Sequence, residues 1–257
     1  MATMAESAPQ TARSDDRFFL TMAIAMALTL VAGFSIQLAA GRSSFMSPLL
    51  VHAHAVVFFG WVVLYLAQNV FVVSGRMALH RTLGWIGAGW MVAMVVLGTA
   101  VTVAMIRRAG VPFFFTPTYF LIMDPVTVLG FAGLTISAIV LRRQTDWHRR
   151  LHLCGMAMLT APGVGRLLPM PFIIPWAGVL AGALPLIFPL IAAIHDLRRN
   201  GRVHPALWWG LGTMVALQVA IFVIADSPVG LAIYNAVASG SPGAQVAPQA
   251  YPPFPLP

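Results

Sequence analysis

The sequence predicts an all-α polytopic integral membrane protein with about seven transmembrane helices and a two-span internal repeat. Hydrophobic residues make up 59% of its 257 residues and charged residues only 9%. The mean hydropathy is +0.85, far above that of a water-soluble domain. Apolar runs of about 20 residues, the length that crosses a bilayer, recur between short arginine clusters. We therefore expect the lipid bilayer to be the main partner of this chain.

The charge pattern is typical of membrane topology and not of nucleic-acid binding. The formal net charge is +8, but the basic residues are all Arg and fall in short clusters between apolar runs. Because the chain has no Lys, it cannot form the Schiff base that a retinal protein needs. The one cysteine, Cys154, cannot form an internal disulfide.

Three regions follow from composition along the chain. Residues 1–16 are polar and predict a disordered cytoplasmic tail, 17–238 form the membrane domain, and the Pro-rich segment 239–257 predicts an extended tail. The predicted spans are 18–40, 49–73, 83–106, 119–141, 151–168, 172–194 and 206–224. The first lacks a cleavage site and is expected to be retained. Pro162 predicts a break in the fifth span, and segment 229–237 is too short to cross.

The arginines predict orientation. If the spans alternate in direction, all but four of the 15 arginines lie on the side of the N-terminus; the exceptions are Arg42, Arg107, Arg108 and Arg166. Cytoplasmic loops carry the excess of positive charge in membrane proteins. We expect a bacterial inner-membrane protein with a cytoplasmic N-terminus.

A short motif occurs twice at the start of a predicted span. His80 and Arg81, then Leu83, match His148 and Arg149, then Leu151, about two spans later. Both copies are therefore expected at the cytoplasmic face. His152 lies four residues after His148, on the same side of a helix.

These histidines are candidate ligands for a haem b or another metal. Bis-His ligation of a haem needs one imidazole from each of two helices, with cationic groups for the propionates. The candidate cofactor residues are His80, His148, His152, Arg81, Arg149 and Arg150, and His195 joins the three histidines as a candidate metal ligand. The competing interpretation is structural, since His and Arg at helix ends commonly contact lipid headgroups.

A second polar site is predicted near the outer face. Its ionisable members are His52, His54 and Asp124, and an ionisable group inside a span needs a partner other than lipid. Helical spacing places Trp61, Tyr65 and Gln68 on one stripe with His54. This site could take a quinone, a proton or a small solute, or it could be a buried ion pair that fixes helix positions.

The sequence resembles a group of bacterial multi-span membrane proteins of unknown function that share a His-Arg-x-Leu-Gly helix start. The residues that carry the resemblance are His80, Arg81, Leu83 and Gly84, with the second His148-Arg149 element and segment 201–205 before the last span. A more remote similarity is to cytochrome b561-type electron carriers. The fourth span has no histidine to pair with His52 or His54, so a second haem is not expected.

Three functions remain open on the sequence alone. The first is an electron carrier with one b-type haem near the cytoplasmic face, exchanging electrons with a quinone. The second is a transporter of a small solute or protons that uses Asp124. The third is a non-catalytic subunit or assembly partner of a membrane complex, because no complete catalytic set is evident and enzymatic activity is left undecided.

Overall fold

The computed structural model describes residues 10–43 and 45–253, and it contains helices and turns but no strand within those ranges. The α-helices are α1 Gln10–Ala39, α2 Leu49–Val73, α3 Met77–Arg107, α4 Pro117–Val140, α5 Thr145–Met158, α6 Ala161–Leu167, α7 Ala177–Ala183, α8 Ile187–Asn200, α9 Pro205–Ala225 and α10 Pro228–Ala238. Short 3₁₀ turns lie at Met170–Phe172, Leu184–Leu186 and Pro242–Gln245.

Six helical segments in the described ranges are long and apolar enough to cross a membrane, which confirms a polytopic helical fold. They are Asp15–Ala39, Leu49–Val73, Met77–Arg107, Pro117–Val140, Ala177–Asn200 and Pro205–Ala225. The remaining predicted span, the fifth, is divided into α5 and α6 at Leu159 and Thr160, beside Pro162. A proline in the first turn of α6 has no N–H to continue the ladder of α5.

Helix α5 lies at the centre of the bundle. It packs against α4, α9, α8 and α1, while α2 packs between α1 and α3, and α3 packs against α4. Leu153, Cys154 and Ala157 of α5 have no exposed surface. Glycine lets α1 and α6 approach closely, because a Cβ at Gly33 would collide with the backbone of Gly163.

The two ends of the bundle differ in character. We call one end the arginine-rich face; it holds the start of α1, the α2–α3 and α4–α5 turns, and the α8–α9 turn. Contacts across it join Asp15 to Arg149 and His80 to His148. At the opposite face the side chain of Gln37 donates to the carbonyl of Arg166 at 2.8 Å.

The structure describes part of each predicted tail. Residues 10–16 already belong to α1, and residues 1–9 lie outside the described ranges. At the other end, residues 239–253 fold back on the opposite face. The amide of Thr118 donates to the carbonyl of Pro248 at 2.9 Å, and the hydroxyl of Tyr251 donates to the carbonyl of Pro175 at 3.3 Å.

Candidate functional site

Three histidines meet at the arginine-rich face. His80 comes from the first turn of α3, and His148 and His152 come from successive turns of α5. The ring centroids of His80 and His148 are 6.2 Å apart, and those of His148 and His152 are 4.7 Å apart. We call these residues the histidine trio. The two copies of the sequence motif thus contact each other through their histidines.

Backbone groups hold the rings in place. Nδ1 of His148 lies 2.8 Å from the carbonyl of Ala138, in the last turn of α4. The imidazole of His80 lies against the backbone of Gln68. Its Nδ1 is buried and has no hydrogen-bond partner among the described residues. A buried nitrogen in that situation needs a water molecule or a ligand.

Two of the three arginines expected beside these histidines face another way. Nε and Nη2 of Arg150 donate to the carboxylate of Asp196 at 2.8 and 2.5 Å, and Arg149 pairs with Asp15 at 3.0 Å. Successive residues of a helix turn by about 100°. Arg149 and Arg150 therefore point toward α1 and α8, where each is paired with an aspartate.

Other cations lie near the trio. Arg81 is exposed next to His80. Arg142, which the sequence reasoning left out of the site, lies near His148 and places its guanidinium 5.9 Å from the ring centre of Trp85. Arg142 lies here because the α4–α5 turn places it beside the start of α3. In the sequence, only the short length of that turn suggested that Arg142 would lie near His148.

His195 does not join the trio. Its ring stacks on Phe18 at 3.8 Å, and its Nε2 lies 3.2 Å from Asp15. The last turns of α8 face the start of α1, so His195 lies on the other side of α5 from His80. No group of three or more His, Cys, Asp and Glu side chains placed to hold a metal ion occurs in ranges 10–43 and 45–253. The predicted set of four metal ligands is therefore not assembled.

The three ionisable residues of the predicted outer site lie apart from one another. His52 is in the first turn of α2, and its Nε2 lies 3.1 Å from the carbonyl of Phe45 in the α1–α2 loop. His54 stacks on Phe58 with ring centroids 4.1 Å apart and lies against the backbone of Leu97. Asp124 lies deeper, beside α3.

Asp124 is paired with a threonine that sequence reasoning did not identify. Oγ1 of Thr102 lies 3.2 Å from Oδ2 of Asp124 and 3.0 Å from the carbonyl of Gly98. A hydroxyl has one hydrogen to donate. The Thr102 hydroxyl is the donor in both contacts, so its hydrogen is shared between the Gly98 carbonyl and the Asp124 carboxyl. Arg166 is the nearby cation, with its guanidinium 3.9 Å from the ring centre of Phe34.

The predicted stripe on α2 faces the protein interior. Trp61 and Tyr65 are 6% and 8% exposed, and the ring of Trp61 meets Phe131 of α4 at 5.0 Å. Nδ1 of His54, Nε1 of Trp61 and Oε1 of Gln68 are buried, and none has a hydrogen-bond partner within the described part of the chain. We call His54, Trp61 and Gln68 the α2 polar face.

Comparison of the chain with protein-family models, with curated proteins and with solved structures found no match.

Proposed function

We propose that this integral membrane protein is an electron carrier that binds one b-type haem at the arginine-rich face, where His80 and His148 would hold the haem iron. A haem held by two histidines accepts and releases one electron at a time. The ligands come from α3 and α5, the two helices that begin with the repeated motif.

The separation of the two imidazoles carries this proposal. If each ring supplied one nitrogen at the usual metal–histidine distance of about 2 Å, both rings would reach one metal ion when their centroids are about 6 Å apart. The observed distance between His80 and His148 is 6.2 Å. Packing of side chains alone does not require this distance, since the neighbouring pair His148 and His152 is at 4.7 Å.

The surroundings of the rings also support it. A histidine ligand typically donates its second ring nitrogen to a carbonyl, which fixes the ring. Ala138 offers such a carbonyl to Nδ1 of His148 at 2.8 Å and leaves Nε2 for a ligand. Gly84 follows His80 by one helical turn, and the side-chain amide of Gln68 lies 3.4 Å from the position that a Cβ would take there.

Charge near the trio suits a haem with two propionates. Arg81 is exposed and Arg142 is close to His148, so both could pair with carboxylates at the membrane surface. In this proposal His152 is a positioning residue behind His148. A quinone is the proposed electron partner, approaching along the Trp61 and Tyr65 side of α2.

The test is the optical spectrum of protein purified from cells supplied with haem precursors. We expect a Soret band that is lost in His80→Ala and His148→Ala but kept in His195→Ala, a matched histidine on the same face. Pyridine haemochrome analysis gives the haem content. Absence of haem from the wild-type protein, both as purified and after reconstitution, would remove the proposal. Equal haem content in His148→Ala and His195→Ala would show that the ligands lie elsewhere.

A further inference from the structure

We infer that the face opposite the arginine-rich face carries a binding site for the head of a quaternary ammonium compound. The site is a cavity of about 100 Å³ where distant parts of the chain meet. These parts are the α3–α4 loop, the start of α4, the start of α7, the end of α9 and the C-terminal segment. Its walls include five aromatic rings and one carboxylate, those of Phe114, Phe115, Tyr119, Phe222, Tyr251 and Asp226.

The aromatic rings of the cavity follow one another in contact. The ring centroids of Phe114 and Phe115 are 4.8 Å apart, and those of Phe115 and Tyr119 are 5.5 Å apart. Phe222 continues the row at 4.9 Å from Tyr119. An aromatic face attracts a cation that lies within about 6 Å of its centre. A wall of this kind suits a cation with an apolar surface.

Hydrogen bonds hold this wall in position. The hydroxyl of Tyr119 donates to the carbonyl of Gly178 at 3.1 Å and accepts from the amide of Gln218 at 2.9 Å. The ring of Tyr119 lies where a Cβ on Gly178 would be, 2.7 Å from that position. The hydroxyl of Tyr251 donates to the carbonyl of Pro175 at 3.3 Å. Because the rings are fixed in advance, a ligand loses little affinity to ordering them.

Asp226 supplies the negative charge. It is the C-cap of α9, where the last carbonyls of the helix add a partial negative charge. Its side chain is exposed and forms no ion pair with the described part of the chain. Burial, and secondarily the charge of Asp226, raise the pKa of Tyr251, so the carboxylate is close to this ring. The cavity therefore joins an aromatic wall to a carboxylate that no cation of the described chain neutralises.

The chemistry of the lining favours a quaternary over a primary ammonium. A primary ammonium brings three N–H groups that need acceptors. The carbonyls of Gly178 and Pro175 already accept from the two phenols, whereas a quaternary ammonium needs no acceptor. Size agrees with this choice. A cavity of about 150 Å³ holds a benzene ring, so this one holds about four or five heavy atoms, as in a trimethylammonium head.

The same head occurs on free compounds such as choline and on the lipid phosphatidylcholine. Both can reach the cavity from the surface, since Tyr119 is in the first turn of α4 and Asp226 follows the last turn of α9. Headgroups lie at the ends of the spans. The shared ligand is the trimethylammonium group, and the experiment below separates its two sources.

Isothermal titration of the protein in an uncharged maltoside detergent tests the site, with tetramethylammonium chloride as the probe. We expect saturable binding, and about tenfold weaker binding of ammonium chloride, which lacks the methyl groups that contact the rings. Asp226→Asn should weaken tetramethylammonium binding about fivefold. Phe222→Leu should weaken it about threefold to thirtyfold.

Phe172→Leu is the matched control. Phe172 is also an aromatic residue before α7, but it is 87% exposed and is not among the residues that line the cavity. Its affinity for tetramethylammonium should equal that of the wild type. If Phe222→Leu does not fold, Tyr251→Leu replaces it, because Tyr251 lies outside the helices and is 40% exposed.

Reconstitution identifies the source of the ligand. Vesicles of phosphatidylglycerol mixed with phosphatidylcholine or with phosphatidylethanolamine carry the same charge and differ in the methylation of the head. Weaker tetramethylammonium binding in the phosphatidylcholine vesicles supports a lipid headgroup as the ligand, and equal binding supports a free compound.

The inference is overturned if the wild-type protein binds tetramethylammonium no more tightly than ammonium, or if Phe222→Leu and Phe172→Leu bind it equally. The cavity shares no residue with the proposed haem site. Loss of one proposal therefore leaves the other standing.

Discussion

Arg150 and Asp196 form a two-point ion pair that joins α5 to α8 in the protein interior. The two residues are 2% and 1% exposed, and the two N–O distances are 2.8 and 2.5 Å. Replacing Arg150 by Met leaves the carboxylate buried without its cation. Loss of one partner of a buried pair costs about 3–5 kcal/mol. We expect Arg150→Met to lower the free energy of unfolding by that amount.

Thermal melts followed by a thiol-reactive fluorophore measure this loss, because the only cysteine, Cys154, is fully buried. Adding Asp196→Asn should recover part of the stability. The new side chain is neutral, and its oxygen can still accept from the amide of His204, now 3.1 Å from Asp196. A double variant as unstable as Arg150→Met would contradict this account.

The close approach of α1 and α6 gives a second prediction. A Cβ at Gly33 would collide with the carbonyl of Gly163, and backbone cannot move aside as a side chain can. We expect Gly33→Ala to cost about 1–3 kcal/mol in the same melting assay. Gly89→Ala in α3 is the control, since nothing lies within 4 Å of its Cβ position. Equal melting temperatures for the two variants would show that α1 and α6 are further apart.

Acid should weaken the start of α9. Nδ1 of His204 accepts from the amide of Ala206 at 3.1 Å, which caps the helix. Burial, and secondarily the charge of Arg150, hold the pKa of His204 below its ordinary value of 6.5. The unfolded chain then binds the proton more readily, so this contribution to stability is full above pH 6.5 and is lost as the pH falls through the lowered pKa.

Melting temperatures measured across that pH range check the His204 effect. Asparagine is also a good N-cap but does not titrate, so His204→Asn should show a smaller decrease in acid than the wild type. His204→Ala should lose about 1 kcal/mol at neutral pH. If the melting temperature of His204→Asn falls in acid as much as that of the wild type, the acid sensitivity belongs to other groups.

The arginine-rich face is predicted to be cytoplasmic. In a Cys154→Ala background, the new thiol of Arg143→Cys should not react with a membrane-impermeant maleimide in intact spheroplasts. It should react after the spheroplasts are lysed. A cysteine at Gly110, in the α3–α4 loop, should react before lysis. The reverse pattern would invert the topology.

Helix positions were predictable from the sequence because each span is a long apolar run, and the contact of His80 with His148 was predictable because the motif occurs twice. The directions in which Arg149 and Arg150 point were not predictable, because the sequence does not show which helices pack on each side of α5. Thr102 was not predicted as a partner of Asp124, because a threonine inside an apolar run is usually a packing residue. The break at Pro162 was anticipated, but the haem, the quinone and the bacterial inner membrane stay predictions.

The hydrogen bond from Thr118 to Pro248 has a consequence for biogenesis. Its two residues are 130 positions apart in the chain. The first turn of α4 leaves the ribosome long before the segment that completes it, so that end of the bundle must remain unfinished while the later helices insert. Contacts so distant in sequence form late. Residues 239–253 should therefore pack against the start of α4 late in folding, after the helices have inserted.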